Sequence, residues 1–446
     1  MTLPRFSSFR HEPPLIARLR HPAACGLLLF LAACPPPGDR ETRTQEVVAG
    51  WLEAADAKPW QGGAAEHPVA VYADRSSSMR GFLDPTYPNR NDYRTVIDGL
   101  QARLSPRKVY GFGNSVRLEP NAGLDLLGNR EFYADGNTEM EEALDTIAAD
   151  SLRAWSHLLV GDGRRSDPDL ANRQFVRMRE LALRWTGGGG TFLVAVSPAP
   201  FRPVQGDPSG CHAPSAVNAQ ADSAWQCPLY AFAFAAPGDG MRVASTLAEL
   251  FRHVWAFPIP TAPGGLVALR PAAAPQDVSF DPVWLSAGDS AAVPKVEGAE
   301  PATQPLGLRL EPADTSSGAG RLLTALLAGQ ETRASLWARP VSGDSQASPW
   351  REQDGRVGPV RLARGGRGLE VFSPGGDDCV EPSDPCGTLY RVELRPAGVP
   401  SWLSGCDARE AADAERTFGL GRLFEPFRAR AAASAPPLAR AYLLVR

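Results

Sequence analysis

The sequence predicts a doubly wound α/β domain followed by a β-rich domain, and three observations carry this prediction. Apolar runs of strand length alternate with segments of helical periodicity over residues 67–257. Two of these runs end abruptly in an aspartate, as strands do when they deliver a polar site to the edge of a sheet. From residue 262 to 446 short alternating runs are separated by Pro, Gly, Asp and Ser, which is typical of a β-sandwich or a similar β-rich domain.

The N-terminal segment predicts export. Arg18 and Arg20 precede an apolar run over residues 23–31 that is too short to span a bilayer, and Leu31-Ala-Ala-Cys34 and three prolines follow. This stretch resembles a bacterial lipoprotein signal peptide, in which the cysteine becomes the lipidated first residue of the mature chain. An ordinary secretory signal with a chance cysteine is the alternative. We therefore expect a signal peptide at 1–33 and a tether at 34–66.

Composition bounds the class of protein and its partners. The chain has 446 residues, of which 43% are hydrophobic and 22% charged, so it is long enough for two or three globular domains. Its net charge of −4 argues against a nucleic-acid partner. We expect membrane attachment through the lipid anchor alone, because the remaining sequence offers no apolar stretch of spanning length. Proline after Cys34 favours the outer membrane by the rules of lipoprotein families.

The cysteines fit an oxidising compartment. Of the seven cysteines, Cys25 leaves with the signal and Cys34 takes the lipid. The five that remain are Cys211, Cys227, Cys379, Cys386 and Cys406. Cys211 and Cys227 are close enough in sequence to form one disulfide, and Cys379 and Cys386 to form another, which leaves Cys406 over. The sequence does not fix this connectivity. A partial zinc site, with His212 beside the first two, is the alternative, but it lacks a fourth ligand.

The elements of the α/β domain follow from periodicity and turn residues. A short helix at 42–55 is possible in the tether, and Asp135-Gly-Asn-Thr138 is predicted to cap a helix with Met140, Ala143, Leu144 and Ile147 on its inner face. We expect strands at 68–73, 108–112, 157–160, 191–196 and 229–234. Further helices are expected at 91–104, 169–185 and 245–255. A Pro-, Gly- and Ser-rich stretch at 197–227 is predicted to be an insertion closed by a disulfide.

The second half predicts mostly strands. Alternating runs occur at 266–270, 306–310, 334–338, 369–372 and 389–394. A helix at 407–425 and a last strand at 441–445 complete the prediction for 262–446.

Oxygen-bearing side chains gather where the predicted strands end. Asp74, Ser76 and Ser78 follow the first strand, Thr138 precedes a helix, and Asp162 follows a central strand. In such sheets ligands bind at the carboxyl ends of the strands. Two carboxylates and three hydroxyls supply up to five oxygen contacts for Mg²⁺ or Mn²⁺, which prefer six oxygen ligands.

The order of these residues and their secondary-structure context resemble the von Willebrand factor A (vWA) domain with a metal-ion-dependent adhesion site (MIDAS), over residues 67–257. The resemblance implies a divalent cation held for an acidic residue of a protein partner. Gly161 departs from the family, where many members have Thr or Ser before the aspartate. The 197–227 insertion is also longer than the usual connection. A metal-free A domain is the alternative.

The function classes that remain are a binding protein, an enzyme and a structural protein. No Gly-x-Ser-x-Gly occurs, and the histidines beyond the signal, which are His67, His157, His212 and His253, offer no convincing general base. We therefore expect no enzyme, but an exported, lipid-anchored protein that binds a carboxylate-bearing protein partner through a cation. A metal-dependent envelope hydrolase and a structural envelope lipoprotein with a metal-free vWA domain are the alternatives.

Overall fold

The computed structural model describes a little over half of the chain, all of it within one compact unit, Asp39–Arg446. The described residues are 46–48, 66–83, 91–120, 123–150, 153–163, 168–201, 225–261, 266–271, 281–284, 292–296, 306–308, 310–312, 316–329, 332–341, 349–352, 369–371, 387–396, 399–408, 417–434 and 437–445. The predicted signal peptide and Cys34 lie outside them, as does all but 46–48 and Glu66 of the tether. Within this described part, no helix combines the length and the apolar character needed to cross a membrane.

Seven strands form the first sheet. They are β1 (Val69–Asp74), β2 (Lys108–Phe112), β3 (Arg117–Leu118), β4 (Ser156–Gly161), β5 (Thr191–Phe201), β6 (Trp225–Ala235) and β7 (His253–Phe257). Their order across the sheet is β3-β2-β1-β4-β6-β5-β7. β1 is parallel to its neighbours β2 and β4, whereas β6 is antiparallel to both β4 and β5. The predicted α/β class is confirmed, with a mixed sheet.

Helices cover both faces of this sheet. The first four are α1 (Asn91–Leu104), α2 (Met140–Ala148), α3 (Pro168–Gly187) and α4 (Gly240–Leu250). Side chains of β1 alternate between two buried apolar clusters, so that Val71 joins one and Tyr72 the other. Apolar residues of α1 and α4 belong to the first cluster, and those of α2 and α3 to the second. Apolar side chains therefore cover both faces of the sheet.

Two boundaries of the first domain differ from the prediction. β5 and β6 extend into the two ends of the predicted insertion and pair with each other from Thr191↔Ala235 to Phe201↔Trp225. The part of the insertion that connects them, 202–224, lies outside the described residues. The helix predicted at 245–255 instead spans Gly240–Leu250, because Phe251 is in an extended conformation and residues 253–257 pair with β5 as β7.

The cysteines are only partly described. Cys227 is buried in β6 and is disulfide-bonded, so its thiol is not available as a zinc ligand. Cys211, Cys379 and Cys386 lie outside the described residues, so the two predicted pairings stay predictions. Cys406 is partly buried against the second apolar cluster.

The second half contains an eight-stranded sheet, which agrees with its predicted β-rich character. Its strands are β8 (Val267–Pro271), β9 (Asp281–Trp284), β10 (Ala292–Val296), β12 (Leu310–Pro312), β13 (Thr332–Pro340), β14 (Arg351–Glu352), β16 (Thr388–Pro396) and β19 (Ala439–Val445). The middle of the sheet, β19-β16-β13-β14, is antiparallel. Two small sheets pair β11 (Leu306–Leu308) with β15 (Leu369–Val371), and β17 (Asp407–Ala408) with β18 (Thr417–Phe418).

Helices from the second half pack on the first sheet. They are α5 (Gly318–Gly329), α6 (Ser401–Cys406) and α7 (Leu420–Ser434). Leu322 of α5 joins the first apolar cluster, whereas Phe424 and Phe427 of α7 join the second. The helix predicted at 407–425 was wrong in its bounds, because β17 and β18 occupy part of that range and Gly419, at φ +83°, separates β18 from α7.

Candidate functional site

Asp74 ends β1 beside the end of β4. The two strands are parallel and in register, with Ala73 opposite Val160, so the turn after β1 and the turn after β4 lie side by side. Asp74 is 1% exposed, and its Oδ1 accepts a hydrogen bond of 2.8 Å from the backbone N–H of Ser76. This short-range bond folds the chain back at the strand end, as aspartates commonly do in turns.

A chain of hydroxyls connects this turn to Asp162. Ser78 donates a 3.1 Å hydrogen bond from Oγ to Oδ2 of Asp162, and its Oγ lies 2.9 Å from Oγ of Ser76. Because the Ser78 proton points to the carboxylate, Ser76 is the donor between the two hydroxyls. All three side chains are buried. The structure thus brings Asp74, Ser76, Ser78 and Asp162 together, as the sequence predicted.

Thr138 belongs to the same site, although it does not cap a helix. The N-cap of α2 is Glu139, whose side chain makes no capping hydrogen bond, so the predicted cap at Asp135-Gly-Asn-Thr138 is corrected. Thr138 is 7% exposed, and its hydroxyl lies close enough to Asp74 to lower the pKa of that carboxyl. The hydroxyl is a ligand candidate rather than a cap.

One oxygen of Asp74 is left without a partner. Oδ2 is buried and accepts no hydrogen bond of good geometry from any described residue, despite the nearby Thr138 hydroxyl. Burial, and next the negative charge of Asp162, raise the pKa of Asp74 well above its ordinary value, against the opposing effect of the hydrogen bond from Ser76 and of the nearby Thr138 hydroxyl. A buried acceptor without a partner costs about 1–3 kcal/mol. The site therefore holds one buried carboxylate oxygen, Oδ2 of Asp74, that no described group satisfies, beside a second carboxylate, that of Asp162.

Gly161 is explained by the close approach of Asp74. A Cβ at position 161 would lie 2.8 Å from Cβ and 3.1 Å from Oδ2 of Asp74. A Ser or Thr here, as in many vWA domains, would displace the aspartate. The absence of a side chain at position 161 is thus matched to the position of Asp74.

Arg75 and Asp135 hold the loop of Thr138 against the first turn, and local sequence patterns predicted neither role. Asp135 donates its backbone N–H to the carbonyl of Arg75 at 3.1 Å, and Ser77 donates to the carbonyl of Asp135 at 2.9 Å. The Arg75 guanidinium pairs with Glu119 at 3.1 Å and lies 3.8 Å from the Asp135 carboxylate. These contacts join segments that are far apart in the chain, so nothing in the local sequence could have revealed them.

The candidate histidine lies elsewhere. His157 is near the start of β4, at the edge opposite Asp162, where its Nε2 lies 3.2 Å from Oδ2 of Asp150 and its Nδ1 lies 3.3 Å from the Tyr72 hydroxyl. Burial lowers its pKa, although the hydrogen bond to Asp150 opposes this. His157 is therefore a packing residue of the core. His212 lies outside the described residues.

The donor set has few ionisable members. Over the described ranges, no group of three or more His, Cys, Asp or Glu side chains could hold a metal ion. The candidate site, with two carboxylates and otherwise hydroxyls, is not such a group. No family model, curated protein or solved structure matches the chain.

Proposed function

We propose that this chain is an exported, lipid-anchored protein whose α/β domain is of the vWA type and binds a protein partner through a divalent cation. The observation that carries the proposal is the partnerless, buried Oδ2 of Asp74, which lies in a cluster with a second carboxylate and three hydroxyls. A cation at this point would satisfy the oxygen and offset the repulsion between the carboxylates of Asp74 and Asp162.

The donors fit a hard divalent ion. Mg²⁺ and Mn²⁺ bind oxygen ligands, and the five candidate donors all present oxygen: Asp74, Ser76, Ser78, Thr138 and Asp162. When bound, such an ion supplies a positive charge and a coordination position that the protein does not fill. The soft ligands that zinc prefers are not part of this donor set.

The candidate donors are of two kinds, charged carboxylates and neutral hydroxyls. Two carboxylates balance a divalent ion when both are ionised, and the hydroxyls add ligands without adding negative charge. Ser76 and Ser78 orient their hydroxyl protons towards Asp162, which leaves oxygen lone pairs for a cation. An outside carboxylate is then the ligand best suited to complete the coordination, and this defines a partner protein with an accessible Asp or Glu.

Affinity capture tests the partner-binding proposal. The full chain is immobilised and exposed to envelope extract in Mg²⁺ or in EDTA, alongside Asp74→Ala and the control Asp98→Ala, whose carboxylate is 55% exposed on α1. We expect wild type and the control to retain one protein set in Mg²⁺ and to release it in EDTA, and Asp74→Ala to retain none. Capture that is equal in EDTA and in Mg²⁺ would contradict the proposal and favour the metal-free alternative.

A further inference from the structure

The turn that carries Asp162 contacts three buried side chains, one of which comes from the second half of the chain. Gly163 follows Asp162 with φ +65°, and a Cβ there would lie 3.0 Å from the ring of Tyr230 and 3.7 Å from Cγ2 of Thr417. Its carbonyl accepts a hydrogen bond of 3.3 Å from Nε2 of Gln174, a fully buried side chain of α3. Three side chains, from α3, β6 and β18, therefore meet at one turn.

A buried hydrogen bond joins two of these side chains. Thr417 donates from Oγ1 to the Tyr230 hydroxyl at 2.9 Å, and the two residues are 1% and 0% exposed. Tyr230 also lies opposite Gly161 in the pairing of β4 with β6. Its ring thus contacts the Asp162 turn on one side, while its hydroxyl is fixed by the C-terminal segment on the other.

The C-terminal segment is itself anchored firmly. Thr417 belongs to β18, and α7 begins shortly afterwards at Leu420. Phe427 of α7 packs against Phe257, Trp255 and Phe192, with ring centroids at 5.0, 5.4 and 6.1 Å. Such aromatic contacts contribute to stability beyond their buried area. Thr417 is therefore fixed at the position from which it reaches Tyr230.

We propose that Thr417, Tyr230 and Gln174 are positioning residues for Asp162, so that docking of the segment Thr417–Ser434 and cation binding stabilise each other. This inference rests on the proposed cation site. The physical reason is that an ion tolerates little displacement of its ligands, and residues behind the ligands commonly change affinity by about 10- to 100-fold. Coupling of this kind is reciprocal by thermodynamic necessity.

Calorimetric titration with Mn²⁺ tests the inference on the full chain. The variants are Tyr230→Phe and Thr417→Val, each of which removes one hydroxyl and keeps the shape. We expect both to bind Mn²⁺ about tenfold more weakly than wild type. Thr417→Ser restores the hydroxyl and is expected to restore the affinity. All titrations are run well below the melting temperature of the least stable variant, which separates affinity from folding.

A control variant and the Asp74→Asn variant distinguish failure of this inference from failure of the cation site. Thr186→Val removes a hydroxyl that donates to the Ala182 carbonyl at 2.9 Å, near the end of α3 that leads to the opposite edge of the sheet, and should bind Mn²⁺ like wild type. If wild type binds and Asp74→Asn does not, but Tyr230→Phe and Thr417→Val bind like wild type, the inference is wrong and the cation site stands. If wild type itself binds no Mn²⁺, both proposals fail.

Hydrogen exchange tests the coupling from the other end. Mn²⁺ is expected to slow amide exchange in α7 around Phe424 and Phe427 in wild type, and to leave it unchanged in Asp74→Asn. A purely structural contact between Thr417 and Tyr230 would leave exchange in α7 insensitive to Mn²⁺ in both proteins, and this result would overturn the proposed coupling.

Discussion

At the scale of residues, the site is defined by two buried carboxylates that lie close to each other. Asp74 and Asp162 are each 1% exposed and are close enough for the charge of one to raise the pKa of the other. Three buried hydroxyls surround them, but none of these carries positive charge. Burial of like charges is unfavourable unless something neutralises them. A bound cation is the simplest source of that neutralisation.

Gly161 is expected to resist replacement by Ser or Thr. Gly161→Ser should destabilise the protein by about 1–3 kcal/mol, because its Cβ would have to displace Asp74, and overpacking a well-filled site has costs of this size. Urea denaturation with EDTA present measures the effect. Gly136→Ala, in the Thr138 loop, is the control, since a methyl group added there would have no described atom within 4 Å. Equal stability of the two variants would contradict this explanation.

His157 is expected to make stability depend on pH. Burial, with a smaller effect of Lys108, lowers its pKa below the ordinary 6.5, while Asp150 opposes the shift. The unfolded chain therefore binds the proton more readily, so this contribution to stability is present above pH 6.5 and is lost as the pH falls below that value. His157→Gln should be less stable at about pH 8 but should lose less stability between about pH 8 and about pH 5.5. Parallel pH slopes for wild type and variant in urea denaturation would refute this role.

The residues of the site were largely predictable, whereas the residues that support them were not. Asp74, Ser76 and Ser78 lie within five positions, and Asp162 follows a recognisable apolar run. The rule that ligands bind at the carboxyl ends of the strands was therefore enough to group them. Arg75 and Thr417 act through contacts with residues far away in sequence. Side-chain contacts of that kind depend on the tertiary structure, which local patterns do not encode.

At the scale of elements, the hairpin of β5 and β6 changes how the sheet is covered. In a doubly wound sheet a crossover helix follows each strand and covers a face. β5 passes into β6 through 202–224, and the two strands pair directly as antiparallel neighbours. The face beside Phe192 and Trp255 is covered by α7, which arrives from the C-terminal end of the chain.

Phe427→Ala tests whether α7 is part of the core of the first sheet. Phe427 is fully buried against three aromatic rings, so its loss should destabilise the protein by about 3–5 kcal/mol. Arg422→Ala, an exposed position of the same helix, should change stability by less than about 0.5 kcal/mol. Thermal and urea denaturation of the full chain provide the measurement. A small effect of Phe427→Ala, comparable with the control, would mean that α7 docks weakly.

Helices and strands with a strong hydrophobic periodicity were predicted correctly, whereas short apolar runs were not. The helix predicted at 91–104 has the observed bounds, because its apolar residues recur at helical spacing from Tyr93 to Leu104. β7 was assigned to a helix, because Val254, Trp255 and Ala256 form a short apolar run that suits either structure. α5 was missed altogether, since its run of Leu and Ala lies among strand-like segments.

At the scale of the whole molecule, the second half contributes to the first sheet as well as forming its own. α5 and α7 each add apolar side chains to one of the two clusters that enclose the first sheet. The predicted boundary between 67–257 and 262–446 remains a prediction, but the two regions share buried surface. Loss of the C-terminal segment is therefore expected to affect the site as well as the second sheet.

Lipidation is tested by a single substitution in the full-length precursor. Cys34→Ser should abolish labelling by a radioactive or clickable fatty acid and release the protein from the membrane fraction, because Cys34 is the predicted acceptor of the lipid. Cys25→Ser, within the predicted signal, is the control and should be labelled normally. Labelling that persists in Cys34→Ser would contradict Cys34 as the acceptor, whereas no labelling of wild type would leave export by an ordinary signal as the remaining interpretation.

The central claim is that Asp74 and its neighbours hold a divalent cation, and calorimetric titration of the full chain with Mg²⁺ and Mn²⁺ tests it most directly. Wild type and the exposed control Asp98→Asn are expected to bind one ion per chain with equal affinity. Asp74→Asn, which keeps the shape and removes the charge, is expected to bind at least about tenfold more weakly. Identical binding by wild type and Asp74→Asn, or no binding by either, would contradict the account.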